Sequence, residues 1–575
     1  GGQRNDILVL EPTTSAWMYV GIHKTNDRFN EIAKQFQTFV TTLEKAQVEY
    51  DLGSENIIKD SGRIEKGKFI IDQRTYSTVV IPPGMENIDQ PTFKLLHEYA
   101  KNGGKVIQFE RLQTLDGLYN DSLEFFNDLK ANKIFVGQLG PQLIDDHFRS
   151  ADFKITDIGV DSIGGDLYHH RRELKDGQLL FLANASMQSS AKGRISIKGK
   201  NVLLMNTLTG EILNYPAKQE EGKNQIAFDF DIPAAGSQLF FIGTGDKGTY
   251  KSYETNGKET AITTSSLQVA RPEVNTLMID FCDVKIGNAF LKDKHVYNAA
   301  DTVFKHHGFK NGNPWNTSVQ FGSSTLDRNK FTAGSGFTAM YHFTINDSVD
   351  FKSFRAVVER PSLLKISVNG NNVQPEPGKW WLEKTFGVFE VGKYLRKGDN
   401  VLQLVADPMD VLAEIEPVYI LGNFNLQPAA KGWTIVSPAP LRAGSWKEQG
   451  LPMYGHAITY TKEAILDKVP PKAAIRLSKW AGTVASVKVN GAEAGVIAYD
   501  PYELNISKYL RTGNNKIEVS VTGSLKNLLG PHHNAPKGLA SPWNWRGVKT
   551  YPSGKAYDTY DYGLMEDFQV FSIEN

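Results

Sequence analysis

The chain has 575 residues, too many for one hydrophobic core, so three to five domains are expected. Its 64 basic and 64 acidic side chains balance, which argues against binding to nucleic acid or to an anionic membrane surface. The single cysteine, Cys282, excludes an intramolecular disulfide and a cysteine-based metal site. No apolar run reaches the roughly 18 residues that a membrane-spanning helix requires.

The first quarter of the chain alternates short apolar strands with helical segments. Strands are predicted at 6–10, from 48 onward, at 77–81 and at 105–110, and helices at 29–46 and 91–101. Such alternation is typical of a parallel, doubly wound α/β sheet, which we assign to residues 1–148.

From about residue 150 the helical spacing disappears and hairpin patterns replace it. The Lys175-Asp176-Gly177 turn lies between two apolar runs and predicts a β-hairpin. We interpret residues 149–250 as a small β-sandwich. The polar stretch 246–265 is rich in Gly, Ser and Thr and predicts a linker or a crossing strand.

One supersecondary unit occurs twice in the remainder of the chain. Its copies contain Val-Asn-Gly at 368–370 and 489–491 and Lys-Tyr-Leu-Arg at 393–396 and 508–511. Asn and Gly tolerate positive φ in a tight turn, and an alternating strand follows each copy. The repeat predicts two similar domains, which we interpret as antiparallel jelly-roll sandwiches at 251–425 and 426–575. Its own residues are expected to be structural.

The α/β pattern is shared by glutamine amidotransferases, whose chemistry needs a cysteine nucleophile with a histidine partner. The turn at 107–111 carries no cysteine, and Cys282 lies in a predicted β region, so we predict a non-catalytic domain. The loop 11–17 follows the first strand, where doubly wound folds often bind ligands, but it lacks a glycine-rich fingerprint. We favour a contact with a neighbouring domain, anchored by buried Trp17, Met18 and Tyr19.

Other candidate sites are weaker. Adjacent histidines on a strand point to opposite faces, so neither His169-His170 nor His306-His307 is expected to chelate one ion. Glu414 and Glu416 are expected on one side of a strand at the surface. No pattern of a (β/α)8 barrel is present, and we assign no catalytic residue.

The stretch 528–545 combines imidazole, amide and indole side chains in an irregular loop. Polar groups beside indole faces suit sugars, whose hydroxyls form hydrogen bonds while their CH faces stack. The alternative is a packed loop that covers a sandwich end or contacts another domain. The sugar-binding candidates are His532, His533, Asn534, Trp543 and Trp545, with Trp380 and Trp381 as a second set.

Four segments of the chain resemble the C-terminal half of bacterial family 106 glycoside hydrolases of the α-L-rhamnosidase type. They are residues 10–19, 48–53, 79–84 and 527–534. The two repeats resemble the galactose-binding-like domains of family 2-type glycosidases, and the first domain resembles an amidotransferase-like domain. In family 106 a catalytic barrel with its acid, base and calcium site precedes that domain, so the resemblance carries no catalytic residue over to this chain.

The sequence therefore predicts the accessory, sugar-binding region of a bacterial glycoside hydrolase that acts on plant or complex polysaccharides. The resemblance implies a periplasmic, cell-surface or secreted protein, a catalytic barrel on the N-terminal side as partner, and calcium as a cofactor. Because the chain enters a strand at residue 6, we expect the polypeptide to extend further toward its N-terminus. Two alternatives remain: a stand-alone carbohydrate-binding protein, and an independent hydrolase with two carboxyls clustered in a cleft.

Overall fold

The structure is a computed structural model that describes most of the chain. The described residues are 2–21, 26–128, 133–156, 166–221, 224–245, 248–253, 257–316, 323–326, 328–346, 349–533 and 542–574. They form two compact units, residues 1–255 and 256–575. Most of the regular structure is β-sheet, arranged in several sheets with few helices, so the protein is multidomain as expected.

The first unit begins with a five-stranded sheet in which all neighbours run parallel. Two inner strands, Ile7–Leu10 and Thr78–Ile81, are buried along their whole length, which explains their mostly apolar sequences. In sheet order the strands are Lys133–Phe135, Lys105–Gln108, Thr78–Ile81, Ile7–Leu10 and Tyr50–Gly53. The helices are Thr13–Trp17, Asp27–Lys45, Glu55–Ser61, Gln90–Lys101, Asp121–Asp128 and Pro141–His147. The predicted parallel sheet is therefore confirmed.

Two short three-stranded sheets complete this region. One is formed by Gly62–Glu65, Lys68–Ile71 and Arg74–Tyr76, and the other by Asn87–Ile88, Thr114–Leu115 and Leu118–Tyr119. The predicted buried anchor in the loop after the first strand is wrong, because Trp17 is 61% exposed and Met18 is 43% exposed. Tyr19 instead donates a hydrogen bond to Glu86, with an oxygen–oxygen distance of 2.8 Å.

The rest of the first unit consists of two mainly antiparallel sheets that share one core. The first sheet contains Phe153–Thr156, Ala191–Lys198, Gln225–Ile232 and Lys218–Gln219. The second contains Leu167–Glu173, Gly177–Asn184, Ser237–Gly243, Asn201–Met205, Ile212–Asn214 and Lys251–Ser252. The predicted hairpin is present, since Leu167–Glu173 pairs antiparallel with Gly177–Asn184.

The second unit contains two β-sandwiches with separate cores, each of which includes one copy of the repeat. We call them the first and the second repeat sandwich. One sheet of the first sandwich contains Asn275–Ile279, Val418–Gly422, Arg355–Glu359, Glu383–Glu390 and Trp380–Trp381. Its other sheet contains Ala289–His295, Phe281–Ile286, Phe337–Ile345, Gly398–Ala406, Lys365–Val368 and Asn371–Asn372. The strands Asn425–Pro428 and Trp433–Val436 extend this second sheet.

The second repeat sandwich takes strands from both ends of this unit. Lys258–Ala261 pairs with Gln569–Glu574, and Gln268–Ala270 pairs with Ala457–Leu466. The polar stretch near 260 therefore contributes a crossing strand. The remaining strands are Ala473–Arg476, Glu503–Asn505, Gly513–Thr522, Val484–Val489 and Ala492–Ile497, with the pair Trp480–Ala481 and Gly563–Leu564.

Helices do not vanish after residue 150, contrary to the sequence prediction. Val296–His306 is an eleven-residue helix that buries its apolar face, and the ring of His295 caps its first turn. His306 and His307 lie at the end of this helix. The prediction that they lie on a strand is therefore wrong. Short α-helices cover Ser323–Leu326 and Leu525–Leu529. Among the described residues, no helix combines the length and the apolar character needed to cross a bilayer.

The repeat forms the same hydrogen-bonded turn in both sandwiches. Asn369 and Asn490 adopt positive φ angles of 49° and 53°. Each donates from its side-chain amide to the carbonyl of the tyrosine in the Lys-Tyr-Leu-Arg segment and to a second asparagine. The second asparagines, Asn400 and Asn515, are fully buried and bind the backbone of that segment. The repeat therefore has a structural role.

Candidate functional site

A cavity of about 120 Å³ lies in the second unit and brings together residues of the first repeat sandwich and of the segment 529–546. Three of the residues selected from sequence, His532, His533 and Trp545, line it. They share the wall with side chains from the first repeat sandwich. The polar and aromatic lining consists of Asp280, His295, Tyr297, Asn313, Asn316, Glu416, His532, His533, Asn544, Trp545 and Arg546.

Asp280 is the centre of a buried polar cluster in this wall. The residue joins the strands Asn275–Ile279 and Phe281–Ile286. Its Oδ2 lies 2.7 Å from Nε2 of His533 and 3.6 Å from Nε2 of His295. Its Oδ1 accepts a 2.6 Å hydrogen bond from the hydroxyl of Tyr557. Burial alone would raise the pKa of Asp280, but the hydrogen bonds from the two histidines hold it well below its usual value.

The tautomer of His295 follows from its role as a helix cap. Its Nδ1 accepts a hydrogen bond from the backbone N–H of Tyr297 at 3.3 Å, so Nδ1 carries no proton. The proton of the neutral ring is therefore on Nε2, the atom that faces Asp280. Aromatic rings enclose the cluster: Phe281 stacks on Tyr551 at a centroid distance of 4.1 Å, and Tyr557 lies edge-on to His533.

His532 presents an unused hydrogen-bond acceptor. Its Nδ1 lies 3.3 Å from the backbone carbonyl of Asp558, and because a carbonyl only accepts, Nδ1 must be the protonated nitrogen. Its Nε2 is buried and has no hydrogen-bond partner among the described residues. Burial lowers the pKa of His532 to about 4, so the ring is neutral near pH 7. Buried polar atoms are normally paired with protein or water, so an unpaired one in a cavity wall is a candidate contact for a water molecule or a ligand.

Glu416 adds a carboxyl group to the cavity. The prediction of an exposed strand pair is wrong, because Glu414 and Glu416 lie in the loop before Val418–Gly422 and both are at least partly buried. Burial, followed by repulsion from Glu414 and Glu359, raises the pKa of Glu416 to about 8. The side chain of Glu414 accepts a 2.8 Å hydrogen bond from the amide of Asn313.

Trp545 is a partly exposed aromatic residue of the cavity lining. It lies in the 3-10 turn Pro542–Trp545, is 45% exposed, and its indole Nε1 is 3.4 Å from the carbonyl of Leu529. An indole that is anchored at one edge and half exposed suits stacking against a sugar ring. Of the other predicted residues in this loop, Asn534 and the side chain of Trp543 are outside the described part of the chain.

The second predicted set does not join this site. Trp380 and Trp381 form a short edge strand of the first repeat sandwich and do not line the cavity. Trp380 is 52% exposed, whereas Trp381 packs against Tyr419 with ring centroids 5.0 Å apart. Trp381 is thus a packing residue of the sandwich.

Sequence reasoning missed Asp280, His295 and Tyr557, and it placed Glu416 at the surface. None of them lies in an unusual local motif, and Asp280 and His533 are 253 positions apart. Only His532, His533 and Trp545 occur in a stretch whose composition stands out. Pairing between distant segments was the missing information.

The family resemblance implies calcium, and the cluster in the cavity wall does not have the ligands that calcium requires. Calcium takes six to eight oxygen ligands, whereas two of the three converging groups here are imidazole nitrogens. Asp280, His295 and His533 therefore do not fit a calcium ion. Among the described residues, they are the one group of three metal-ligating side chains that converge.

No family model matches the chain, and no curated protein matches it. A rhamnosidase from Novosphingobium sp. PP1Y aligns with a TM-score of 0.49 and 11% identity, over 99% of this chain and 39% of that chain. A GH42 beta-galactosidase from G. stearothermophilus aligns with a TM-score of 0.27 and 10% identity, over 42% of this chain and 40% of that chain. An alpha-L-rhamnosidase from Streptomyces avermitilis, complexed with L-rhamnose, aligns with a TM-score of 0.21 and 12% identity, over 73% of this chain and 38% of that chain. This chain thus spans about two fifths of the length of these three structures. The structural neighbours include rhamnosidases and other glycoside hydrolases, at low sequence identity.

Proposed function

We propose that this chain is the non-catalytic, sugar-binding region of a bacterial glycoside hydrolase related to α-L-rhamnosidases, and that the cavity of its second unit holds the sugar. The observation that carries the proposal is the buried, unpaired Nε2 of His532 in the cavity wall. This nitrogen needs a hydrogen-bond donor, and a sugar presents hydroxyl groups at close spacing.

The surroundings of His532 support a sugar over an apolar ligand. Trp545 offers an exposed ring face, while Asn313, Asn316 and Asn544 place amides around the same cavity. A small pocket with one aromatic face and several fixed polar groups is the usual construction of a carbohydrate site.

The proposal also covers the parts of the chain outside the cavity. We assign residues 1–148 to an amidotransferase-like domain and 149–250 to a small β-sandwich. We assign the two repeat sandwiches, predicted at 251–425 and 426–575, to galactose-binding-like jelly-rolls. The predicted boundary is corrected by the strand pairing, because Lys258–Ala261 and Gln268–Ala270 belong to the second sandwich and Trp433–Val436 belongs to the first. The resemblance to family 106 supports a catalytic barrel as partner and a periplasmic, cell-surface or secreted location. The upstream gene sequence tests this part, because a signal peptide directly before residue 1 would favour a stand-alone binding protein.

Titration calorimetry with a panel of L-rhamnosides and D-galactosides tests the binding site. We expect one sugar class to bind, and Trp545→Ala to weaken its binding about tenfold through loss of stacking. Trp380→Ala is the matched control, since it removes another exposed indole that is not part of the cavity lining. Absence of binding to every sugar, or unchanged binding in Trp545→Ala, would overturn the assignment of this cavity.

An assay of the chain on aryl rhamnosides and galactosides tests the non-catalytic part of the proposal. We expect no turnover. If turnover occurs, comparison with Glu416→Gln shows whether it takes place in this cavity, because Glu416 is a lining carboxyl that is protonated at neutral pH and could act as an acid. Turnover that Glu416→Gln abolishes would make the chain an independent hydrolase.

A further inference from the structure

We propose that Asp280, His295 and His533 form a binding site for a divalent transition metal ion of the zinc type, in the wall of the sugar cavity. This inference is independent of sugar binding, so either can fail without the other.

The three side chains converge from separate parts of the fold. Asp280 follows one strand of the first repeat sandwich, His295 ends another, and His533 lies beyond the helix Leu525–Leu529. One potential ligand atom from each lies within 4.8 Å of the others. All three side chains are at most 10% exposed, so the ligand atoms are held in place by packing. All three also line the cavity, which leaves room for a further ligand.

The chemistry of these donors selects the ion. Two imidazoles and one carboxylate are the ligands of many three-residue zinc sites, in which a fourth position is left for water or substrate. Calcium and magnesium prefer oxygen ligands and are disfavoured here. The cluster differs from an ordinary acidic patch because it has two nitrogens for each carboxylate.

A second layer of contacts already orients the carboxylate. Tyr557 donates to Oδ1 of Asp280, which leaves Oδ2 as the atom that faces both histidines. Metal sites commonly hold their first ligands by such hydrogen bonds from outside. The same hydroxyl also explains how the carboxylate remains buried when no ion is bound.

The competing interpretation is a closed hydrogen-bond network, and the two differ at both histidines. At His533 the ion replaces the proton on Nε2 and, with it, the 2.7 Å hydrogen bond to Asp280. His295 must change its tautomer. To bind a metal through Nε2, its ring must carry the proton on Nδ1, which breaks the bond from the N–H of Tyr297. That bond is long, at 3.3 Å, and its loss is small beside the affinity of zinc for histidine and carboxylate ligands. The metal-bound state is therefore accessible at neutral pH.

Metal titration of the full chain, stripped with EDTA and desalted, tests the site. We expect one Zn²⁺ per chain with a dissociation constant of about 10 µM or tighter, and a rise in melting temperature that EDTA reverses. Co²⁺ should give the visible absorption bands of a four-coordinate ion. His533→Ala and His295→Ala should each weaken binding about a hundredfold or more.

Two further variants make the test specific. Tyr557→Phe keeps the ring but removes the bond to Oδ1, and should weaken binding about tenfold without unfolding the protein. His342→Ala is the matched control, because His342 faces one carboxylate, Asp283, at 3.2 Å and should not affect binding. No binding by the unmodified chain up to about 1 mM Zn²⁺ or Co²⁺ would overturn the proposal, as would binding that survives in both His533→Ala and His295→Ala.

Discussion

At Glu416, burial and charge repulsion act in the same direction. Burial contributes most to its raised pKa, Glu414 and Glu359 add repulsion, and Arg360 offsets only part of the sum. Burial also raises the pKa of Glu414 and of Glu359, so none of the three carboxyls is in a favourable place for negative charge. With a pKa of about 8, Glu416 is a neutral hydrogen-bonding group of the cavity lining at pH 7.

We expect this carboxyl to make the protein less stable as the pH rises. The unfolded chain releases the proton near the model-compound pKa of 4.5, whereas the folded chain keeps it up to about 8. The stabilising contribution is therefore complete below pH 4.5, is lost as the pH rises to about 8, and stays constant above. Glu416→Gln removes this dependence. The stability of the variant, expressed as its free energy of unfolding minus that of the wild type, should therefore be about 2–4 kcal/mol higher at pH 9 than at pH 5.

Urea unfolding of both proteins at pH 5, 7 and 9 measures the effect. Glu390→Gln, at an exposed position of the same sandwich, is the control and should show no such change. A difference between Glu416→Gln and the wild type that does not vary with pH would contradict the burial of this carboxyl.

At the scale of elements, the repeat shows how a short motif determines a turn and anchors a strand. In the second copy, the side-chain amide of Asn515 donates to the carbonyls of Arg511 and Gly513. Its oxygen accepts from the N–H of Arg511 and from Asn490. Asn400 makes the equivalent bonds in the first copy. The motif recurs because the same backbone groups need the same partners in both sandwiches.

We expect Asn515→Ala to reduce the free energy of unfolding of the second unit by about 2–4 kcal/mol, because several buried backbone groups lose their partners. Asn400→Ala should cause a loss of similar size, since the two networks are alike. Asn514→Ala is the matched control and should change stability by less than about 0.5 kcal/mol, because the neighbouring side chain is exposed. Denaturant unfolding measures all three, and equal effects of Asn514→Ala and Asn515→Ala would disprove the role of the network.

At the scale of the whole molecule, one buried ion pair joins the two halves of the first unit. Arg171, on a strand of the sandwich, is 2% exposed and binds both oxygens of Glu49, next to the parallel sheet, at 2.6 Å. Burial disfavours the charge on Glu49, but Arg171 and His169 more than compensate and lower its pKa. Gln47 adds bonds to His169 and to the backbone of Leu167 across the same boundary.

We expect Arg171→Met to destabilise the first unit by about 3–5 kcal/mol, because the buried Glu49 carboxylate loses the partner that binds both of its oxygens. The double variant Arg171→Met/Glu49→Leu should recover most of that loss, since both charges are gone. Arg194→Met, which breaks an exposed ion pair with Asp229, is the control and should cost less than about 1 kcal/mol. Scanning calorimetry measures these effects, and a double variant as unstable as Arg171→Met would contradict the explanation.

The sequence by itself determined the local parts of this protein. Apolar strands alternating with helical spacing predicted the parallel sheet, and the repeated Asn-Gly turns predicted two related β-domains, because side-chain periodicity and backbone preference act over a few residues. Composition alone also directed attention to His532, His533 and Trp545. Only the tertiary structure decided that Asp280, His295 and Glu416 share a cavity with them, that Trp17 is exposed, and that His306 ends a helix. The shared cavity depends on the pairing and packing of segments up to 253 residues apart, which no local pattern encodes.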